Sequence, residues 1–367
     1  MIKIEDLFNI LKKSGTDFYT GVPDSILKEL SIKLNKKNNN KHIIAVNEGA
    51  AVSIGIGYYL SQKKLPCIYM QNSGLSNAMN PLISIADKKV YSIPLILLIG
   101  WRGSPGIKDE PQHETKGKIT QNILKLLKIK NVVLRNDKSL LKFKSLISYA
   151  KKNKRIVAGL VPQGIIEKSS KKIINNKNKL DKLFVLSKIL ESAPNNSKFI
   201  SSTGYNSREL LYLRNKYQLK KGTDFYLVGG MGHAASLALG YSKYNKNRMI
   251  ICLDGDGSML MHLGSLKTLG DFSSKNLKYI VLNNNAHDSV GGQSTNSEKI
   301  NFKLLSKSLG FKKYYQIKDS KNLSLKIKKI IKNKENSFTE LRVKNTNIEN
   351  LPRPQDFLKI RDNFMKK

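Results

Sequence analysis

GDGSMLMHLGSLKTLGDFSSKNLKYIVLNNNAHDSVGG, residues 255–292, decides the fold of this chain. One carboxylate stands between two glycines, and three asparagines follow the apolar run KYIVL. The preceding run, RMIICLD, is strand-like, so Asp254 and Asp256 fall at a strand's carboxyl end, where open parallel sheets present ligands. The glycines Gly255 and Gly257 let the backbone approach a phosphate, and Ser258 is expected to open a helix whose amides face it. Asp256 and Asn284, at the ends of successive strands, offer a carboxylate and a carboxamide. Hard divalent cations beside a phosphate take such oxygen donors. Asn283 and Asn285 flank Asn284 by one residue and fit the same pattern.

Outward from this stretch, strands and helices alternate. IEDLFNILKKSG carries Ile4, Leu7, Phe8 and Leu11 on one helical face, with Gly15 as a stop. DFYTGVP, HIIAVN, LPCIYMQ, IPLILLIG and RIVAGLVP are strands, and EGAAVSIGIGYYLSQ and SGLSNAMNPLISIADKK are helices. IPLILLIG is wholly apolar, as in a sheet covered on both faces. EKSSKKIINNKNK (Glu167–Lys179) is polar and loop-like, and the alternation then restarts. The expectation is α/β: two doubly wound, mostly parallel-sheet domains over 1–167 and 181–367, joined by a linker at 168–180, with no middle domain. No residue-level repeat is visible.

The 367 residues suffice for two cores. No apolar run is long enough to span a bilayer, and MIKIEDLFNILKKSG lacks the plan of a secretory signal, which points to a cytoplasmic protein. Cys67 and Cys252 sit in apolar strands and are expected as buried free thiols. The balance of 65 Lys+Arg against 27 Asp+Glu gives +38. These cations are scattered Lys doublets without interleaved aromatics, so they suggest a solvated surface more than a nucleic-acid partner.

The Gly-Asp-Gly, the spacer and the Asn pair together resemble the thiamine diphosphate signature. The resemblance implies two thiamine-fold domains, pyrimidine-binding over 1–167 and diphosphate/Mg²⁺-binding over 181–367. Mg²⁺ would be held by Asp256, Asn284 and the carbonyl of Ala286. Gly229 and Met231 resemble the turn that bends the cofactor, Thr203 and Gly204 further diphosphate contacts, and Glu48 the carboxylate on the aminopyrimidine ring. In such enzymes the two halves of a site meet across subunits, so a homodimer or larger is implied.

The short linker narrows the choice. GVPDSILKEL, QNSGLSNAMNPL, GWRGSPGIKDEPQHETKGK, STGYNSREL and HDSVGGQST resemble the phosphonopyruvate decarboxylases, with sulfopyruvate decarboxylases next. That resemblance implies an anionic 2-oxo acid substrate and catalytic roles for Asp24, for His113 in a loop, and for His287 and Asp288. Arg102, Ser25, Lys28, Asn72 and Ser73 are candidate substrate contacts. His262, within a helix, and Trp101 are expected to pack. An acetolactate-synthase-type carboligase is an alternative. So is a nicotinamide enzyme, because Gly230-x-Gly232-x-x-Ala235 follows a strand and Asp254 lies at the end of the next.

Overall fold

A computed structural model describes residues 1–35, 41–167, 178–345, 348 and 350–366. Most of the expected linker, 168–177, lies outside the described residues. The chain forms two compact units, Met1–Ile173 and Ile174–Lys367.

The first unit holds β1 (Tyr19–Gly21), β2 (His42–Ile44), β3 (Cys67–Gln71), β4 (Ile96–Trp101), β5 (Lys130–Val133) and β6 (Val157–Pro162). All pair in parallel, in the order β2-β1-β3-β4-β6-β5. The second holds β7 (Lys198–Ser201), β8 (Thr223–Tyr226), β9 (Ile250–Gly255) and β10 (Leu277–Asn283). A small hairpin, β11 (Ala286–His287) with β12 (Gln293–Ser294), precedes β13 (Lys313–Ile317) and β14 (Ser337–Arg342). The main sheet runs β13-β14-β10-β9-β7-β8, again all parallel.

Numbered within its own sheet, each unit has the same strand order, 2-1-3-4-6-5. The topology is repeated although the residues are not. In each unit the second and third strands lie on opposite sides of the first. Crevices in open α/β sheets form at that reversal, outside the carboxyl ends. Here those ends are β1/β3 and β7/β9.

Alternating side chains cover both faces. Along β4, Ile96 and Leu98 enter one apolar cluster and Leu97 and Ile99 the other. Along β9, Ile251 and Leu253 face one cluster while Ile250 and Cys252 face the opposite one. Each such buried aliphatic side chain is worth roughly 1.5–3 kcal/mol. Cys67 and Cys252 are buried free thiols, and burial pushes the Cys67 thiol up to about 12.

The first helix is Ile4–Lys13, with Ile4, Leu7, Phe8 and Leu11 all buried. The sequence reading missed β5, β13 and β14, the hairpin, and the helices Pro111–Leu126, Asp137–Asn153, Phe302–Ser308, Leu323–Lys332 and Phe357–Met365. The helix after the Gly-Asp-Gly opens at Asp256 rather than Ser258, because extended Gly255 is its cap. At the far end, the helix Phe357–Met365 covers the edge strand β8. Phe364 packs in tilted geometry against Phe225 and Tyr241 at 5.4 and 4.8 Å between ring centres, and Lys198 Nζ donates to the carbonyl oxygens of Phe364 and Lys366. An unpaired sheet edge is thereby shielded.

Candidate active site

In the second unit four adjacent strands end together. β7 leads into Thr203-Gly204, β9 into Gly255-Asp256, β10 into Asn284, and β8 into the turn Gly229–Gly232. Gly204 has φ 87 and ψ −140, a conformation open essentially to glycine alone, and it starts the helix Tyr205–Tyr217. Gly232 donates its amide to Ser258 Oγ at 3.1 Å, which fastens the turn bearing half-buried Met231 to the start of the helix Asp256–Met261. A Cβ on Gly232 would fall 2.3 Å from His262 Nδ1, so the turn needs glycine there. His262 sits just past that helix, as its C-cap, and stacks on His233 at 4.6 Å.

Asp256 is 2% exposed. Burial lifts its carboxyl to about 6, and the groups opposing that rise are neutral: the hydroxyls of Thr295 and Ser297 and the amides of Asp256 and Asn284. Thr295 Oγ1 and Ser297 Oγ donate to Asp256 Oδ2 at 2.5 and 3.0 Å. Asn284 is buried, and its Oδ1 accepts from the Ala286 amide at 3.2 Å. A carboxylate, a carboxamide and the Ala286 backbone thus gather at two neighbouring strand ends. His287 follows on β11, and a Cβ on Gly257 would lie 3.0 Å from its imidazole. Burial holds that imidazole down at about 4. Asp288 is buried in the 3₁₀ turn beyond it.

In the first unit Glu48 opens the helix Glu48–Gln62 just beyond β2, with Asn47 as cap through its Oδ1 and the Ala50 amide. The carboxylate is buried. Asn77 Nδ2 donates to its Oε2 at 2.9 Å, and a Cβ on Gly74 would fall 2.1 Å from its Oε1. Asp24, past β1, is likewise buried. Its Oδ1 accepts from Gln71 Nε2 at 2.7 Å, and its Oδ2 from the amides of Ile26 and Leu27 at 3.2 Å. Burial raises this carboxyl, and the bonds from Gln71 and the Leu27 amide act against the rise. Ser73 Oγ donates to Gln71 Oε1 at 2.8 Å, which extends the chain from Asp24 through Gln71 to Ser73.

The GWRG stretch is occupied differently from the expectation. Arg102 is held bidentately by Asp109 at 2.7 and 2.5 Å, and its remaining Nη1 reaches Ser25 Oγ at 3.4 Å. It is therefore not an unpaired anion anchor. Against its own burial, Asp109 is kept below the ordinary carboxylate range by Arg102 and the Gly103 amide. Asn72 is also spent: its Nδ2 donates to the Arg102 carbonyl and Thr120 Oγ1, and its Oδ1 accepts from the Arg102 amide. Lys28 is half-buried at the start of the helix Lys28–Asn35. His113 lies in the first turn of the helix Pro111–Leu126 and not in a loop, because Pro111 starts that helix. Burial, then the Arg102 charge, lower its imidazole to about 4. Trp101 packs as expected, donating Nε1 to the Gly117 carbonyl at 2.9 Å.

Residues 4–124 match the family described as "Thiamine pyrophosphate enzyme, N-terminal TPP binding domain", and residues 203–341 its C-terminal TPP binding domain. A phosphonopyruvate decarboxylase of Streptomyces hygroscopicus is 31% identical over 85% of this chain and 80% of its own length. One from Streptomyces viridochromogenes is 29% identical over 97% and 92%. A sulfopyruvate decarboxylase of Methanosarcina acetivorans is 26% identical over 95% and 93%. The chain belongs to the thiamine pyrophosphate enzymes.

Membership in the thiamine pyrophosphate enzymes agrees with the geometry and removes the nicotinamide alternative. In a dinucleotide fingerprint the acidic residue ends the strand next to the glycine turn. Here β7 separates β8 from β9. Asp254 is buried as well, with Tyr279 OH donating to its Oδ2 at 2.9 Å. The donor set around Asp256 suits the hard cation that accompanies a diphosphate, since a buried carboxylate with only neutral partners is short of a positive charge. Sequence reasoning missed Gln71, Asn77, Thr295 and Ser297. The phrase GGQST held a local signal for Thr295 alone, and Ser297 lies two residues beyond it.

Proposed function

We propose that this thiamine pyrophosphate enzyme, a carbon–carbon lyase by family, decarboxylates 3-phosphonopyruvate to phosphonoacetaldehyde and CO₂ within phosphonate biosynthesis. The carrying observation is the pairing of Asp256 with Asn284 at adjacent ends of β9 and β10. The two Streptomyces relatives support the choice of substrate.

Bound thiamine diphosphate would supply a carbanion-forming carbon and an electron sink for the electrons left by CO₂. Asp256, Asn284 and the Ala286 carbonyl would hold Mg²⁺ on its diphosphate. Thr203, Gly204, Gly255, Gly257 and Ser258 would take the phosphates, and Gly229 and Met231 would shape the ring portion. Glu48 would hold a proton at the aminopyrimidine. Its seat on Gly74 and Asn77 fixes the carboxylate, which orientation-dependent proton transfer requires. Asp24, with Gln71 and Ser73 behind it, and His113, neutral at pH 7, would manage the substrate's protons, with His287 and Asp288 at the cation end. Ser25 and Lys28 would meet the anionic tail, with Arg102 beside Ser25 adding positive charge from its seat on Asp109. Because Glu48 and Asp256 fall in different units, the reading requires both halves of the chain. It takes the active enzyme to be at least a homodimer in the cytoplasm.

The test is CO₂ and aldehyde release from phosphonopyruvate, sulfopyruvate and pyruvate, with and without thiamine diphosphate and Mg²⁺. The expected result is turnover that needs both, prefers phosphonopyruvate and vanishes in Glu48→Gln. Preference for sulfopyruvate would reassign the substrate. Turnover without thiamine diphosphate would overturn the reading.

A further inference from the structure

The hydroxyl of Ser297 sits among an unusual number of oxygens. It is fully buried, and its Oγ lies 3.0 Å from Asp256 Oδ2, 2.9 Å from Asn283 Oδ1, 2.7 Å from Asn285 Oδ1 and 3.0 Å from Thr295 Oγ1. A hydroxyl has one proton to give. Of the three oxygens that can only accept, Ser297 satisfies one at a time. Asn283 cannot relieve the crowding by turning over. Its Nδ2 donates to Glu340 Oε1 at 3.1 Å, and its Oδ1 also accepts the Asn285 amide at 3.1 Å. The Thr295 amide in turn donates to the Asn285 carbonyl at 3.2 Å, and Asn285 is left-handed, with φ 57.

This arrangement has a directional consequence. Thr295 and Ser297 both donate to the same carboxylate oxygen, Oδ2 of Asp256. That fixes the carboxyl plane and leaves Oδ1 without either hydroxyl. Asn283 and Asn285 bracket Asn284 in the chain, and the Ser297 oxygen lies 2.9 Å from the Oδ1 of one and 2.7 Å from that of the other, so this residue is packed between the Asp256 carboxylate and the backbone from which Asn284 and Ala286 project. A group that orients the residues around a cation governs affinity without touching the ion, and losing such a partner costs about 10–100-fold.

We propose that Ser297, assisted by Thr295, is the positioning residue of the Mg²⁺ seat, tying the β9 carboxylate to the asparagine loop after β10. The inference rests on the cofactor reading above and deepens it.

The test measures retention of thiamine diphosphate by the intact protein in equilibrium dialysis as Mg²⁺ is titrated, in wild type, Ser297→Ala, Thr295→Val and Thr295→Ser. The expected result is a half-saturating Mg²⁺ concentration raised about 10–100-fold in Ser297→Ala and Thr295→Val. Thr295→Ser should keep the wild-type value, and retention should recover in all variants at high Mg²⁺. Values within about twofold of wild type in Ser297→Ala and Thr295→Val would overturn the proposal. Equal shifts in Thr295→Val and Thr295→Ser would do the same, because the methyl rather than the hydroxyl would then matter. Should Ser297→Ala fail to fold, the Thr295 pair decides. Wild-type protein that retains no thiamine diphosphate at any Mg²⁺ concentration would bring down the cofactor reading itself, whereas retention with unshifted variants would bring down this inference alone.

Discussion

At the residue scale, Asp24 and Glu48, both buried in the first unit, rest on glycines. A Cβ on Gly74 would come within 2.1 Å of Glu48 Oε1, and one on Gly100 within 2.0 Å of Asp24 Oδ2. The carboxylates are thereby placed by backbone that carries no side chain. Gly74→Ala should push Glu48 off its bond to Asn77 and lower turnover by about 10²-fold, the cost of a displacement near 1 Å. Circular dichroism should stay near wild type, since Gly74 lies in a single 3₁₀ turn. Wild-type turnover in that variant would show that the seat of Glu48 is adjustable. His113 makes a second prediction. Its folded imidazole titrates at about 4, against an ordinary 6.5. Between those values the unfolded chain binds more protons, so this residue makes stability rise with pH from 4 to 6.5. Urea unfolding across that range should show a smaller slope for His113→Gln, and an equal slope would mean the imidazole titrates normally. The place of Glu48 at the head of a helix was legible in the sequence because small residues follow it in a helical run. Asn77 and Gln71 were not, because each earns its role through a partner 29 or 47 residues away.

At the element scale, GWRGSPGIKDEPQHETKGK was the most specific phrase in the sequence, and much of it serves a docking of turn onto helix. A Cβ on Gly117 would fall 1.7 Å from the Gly103 carbonyl oxygen, and one on Gly103 2.1 Å from that of His113. Both collisions are with backbone, which cannot rotate away. Gly117→Ala should therefore destabilise the protein by about 2–4 kcal/mol through overpacking and move the Arg102–Asp109 pair with it. A urea midpoint unchanged from wild type would refute the contact. The same kind of contrast separates β4 from the missed edge strands β5 and β13, while β14, buried at five of its six positions, was hidden by its polar letters Ser337, Thr339, Glu340 and Arg342. β4 is buried at every position and reads as an apolar run, whereas edge strands β5 and β13 are half-exposed and carry Lys130 and Lys313. The hairpin β11–β12 is two residues on each side, too short for any periodicity to show.

For the whole molecule, the twin strand order means that one plan of winding produces two crevices, each with its polar residues at the reversal. Asp24, Glu48, Gln71 and Ser73 gather in the first unit, and Thr203, Asp256 and Asn284 in the second. Each unit has its own pair of apolar clusters. Those of the first draw on residues between Ile2 and Ile166, and those of the second on residues between Leu180 and Phe364. Each unit thus buries both faces of its own sheet, which is what an independently folding domain requires. Produced as separate chains, 1–173 and 174–367 should each be soluble and melt cooperatively. Neither should turn over phosphonopyruvate alone, because Glu48 and Asp256 would be on different molecules, and mixing them with thiamine diphosphate and Mg²⁺ should restore activity. Activity in the isolated second half would remove Glu48 from the mechanism. Two well-folded halves that stay inactive when mixed, beside an active intact chain, would mean that the covalent connection itself contributes to the site.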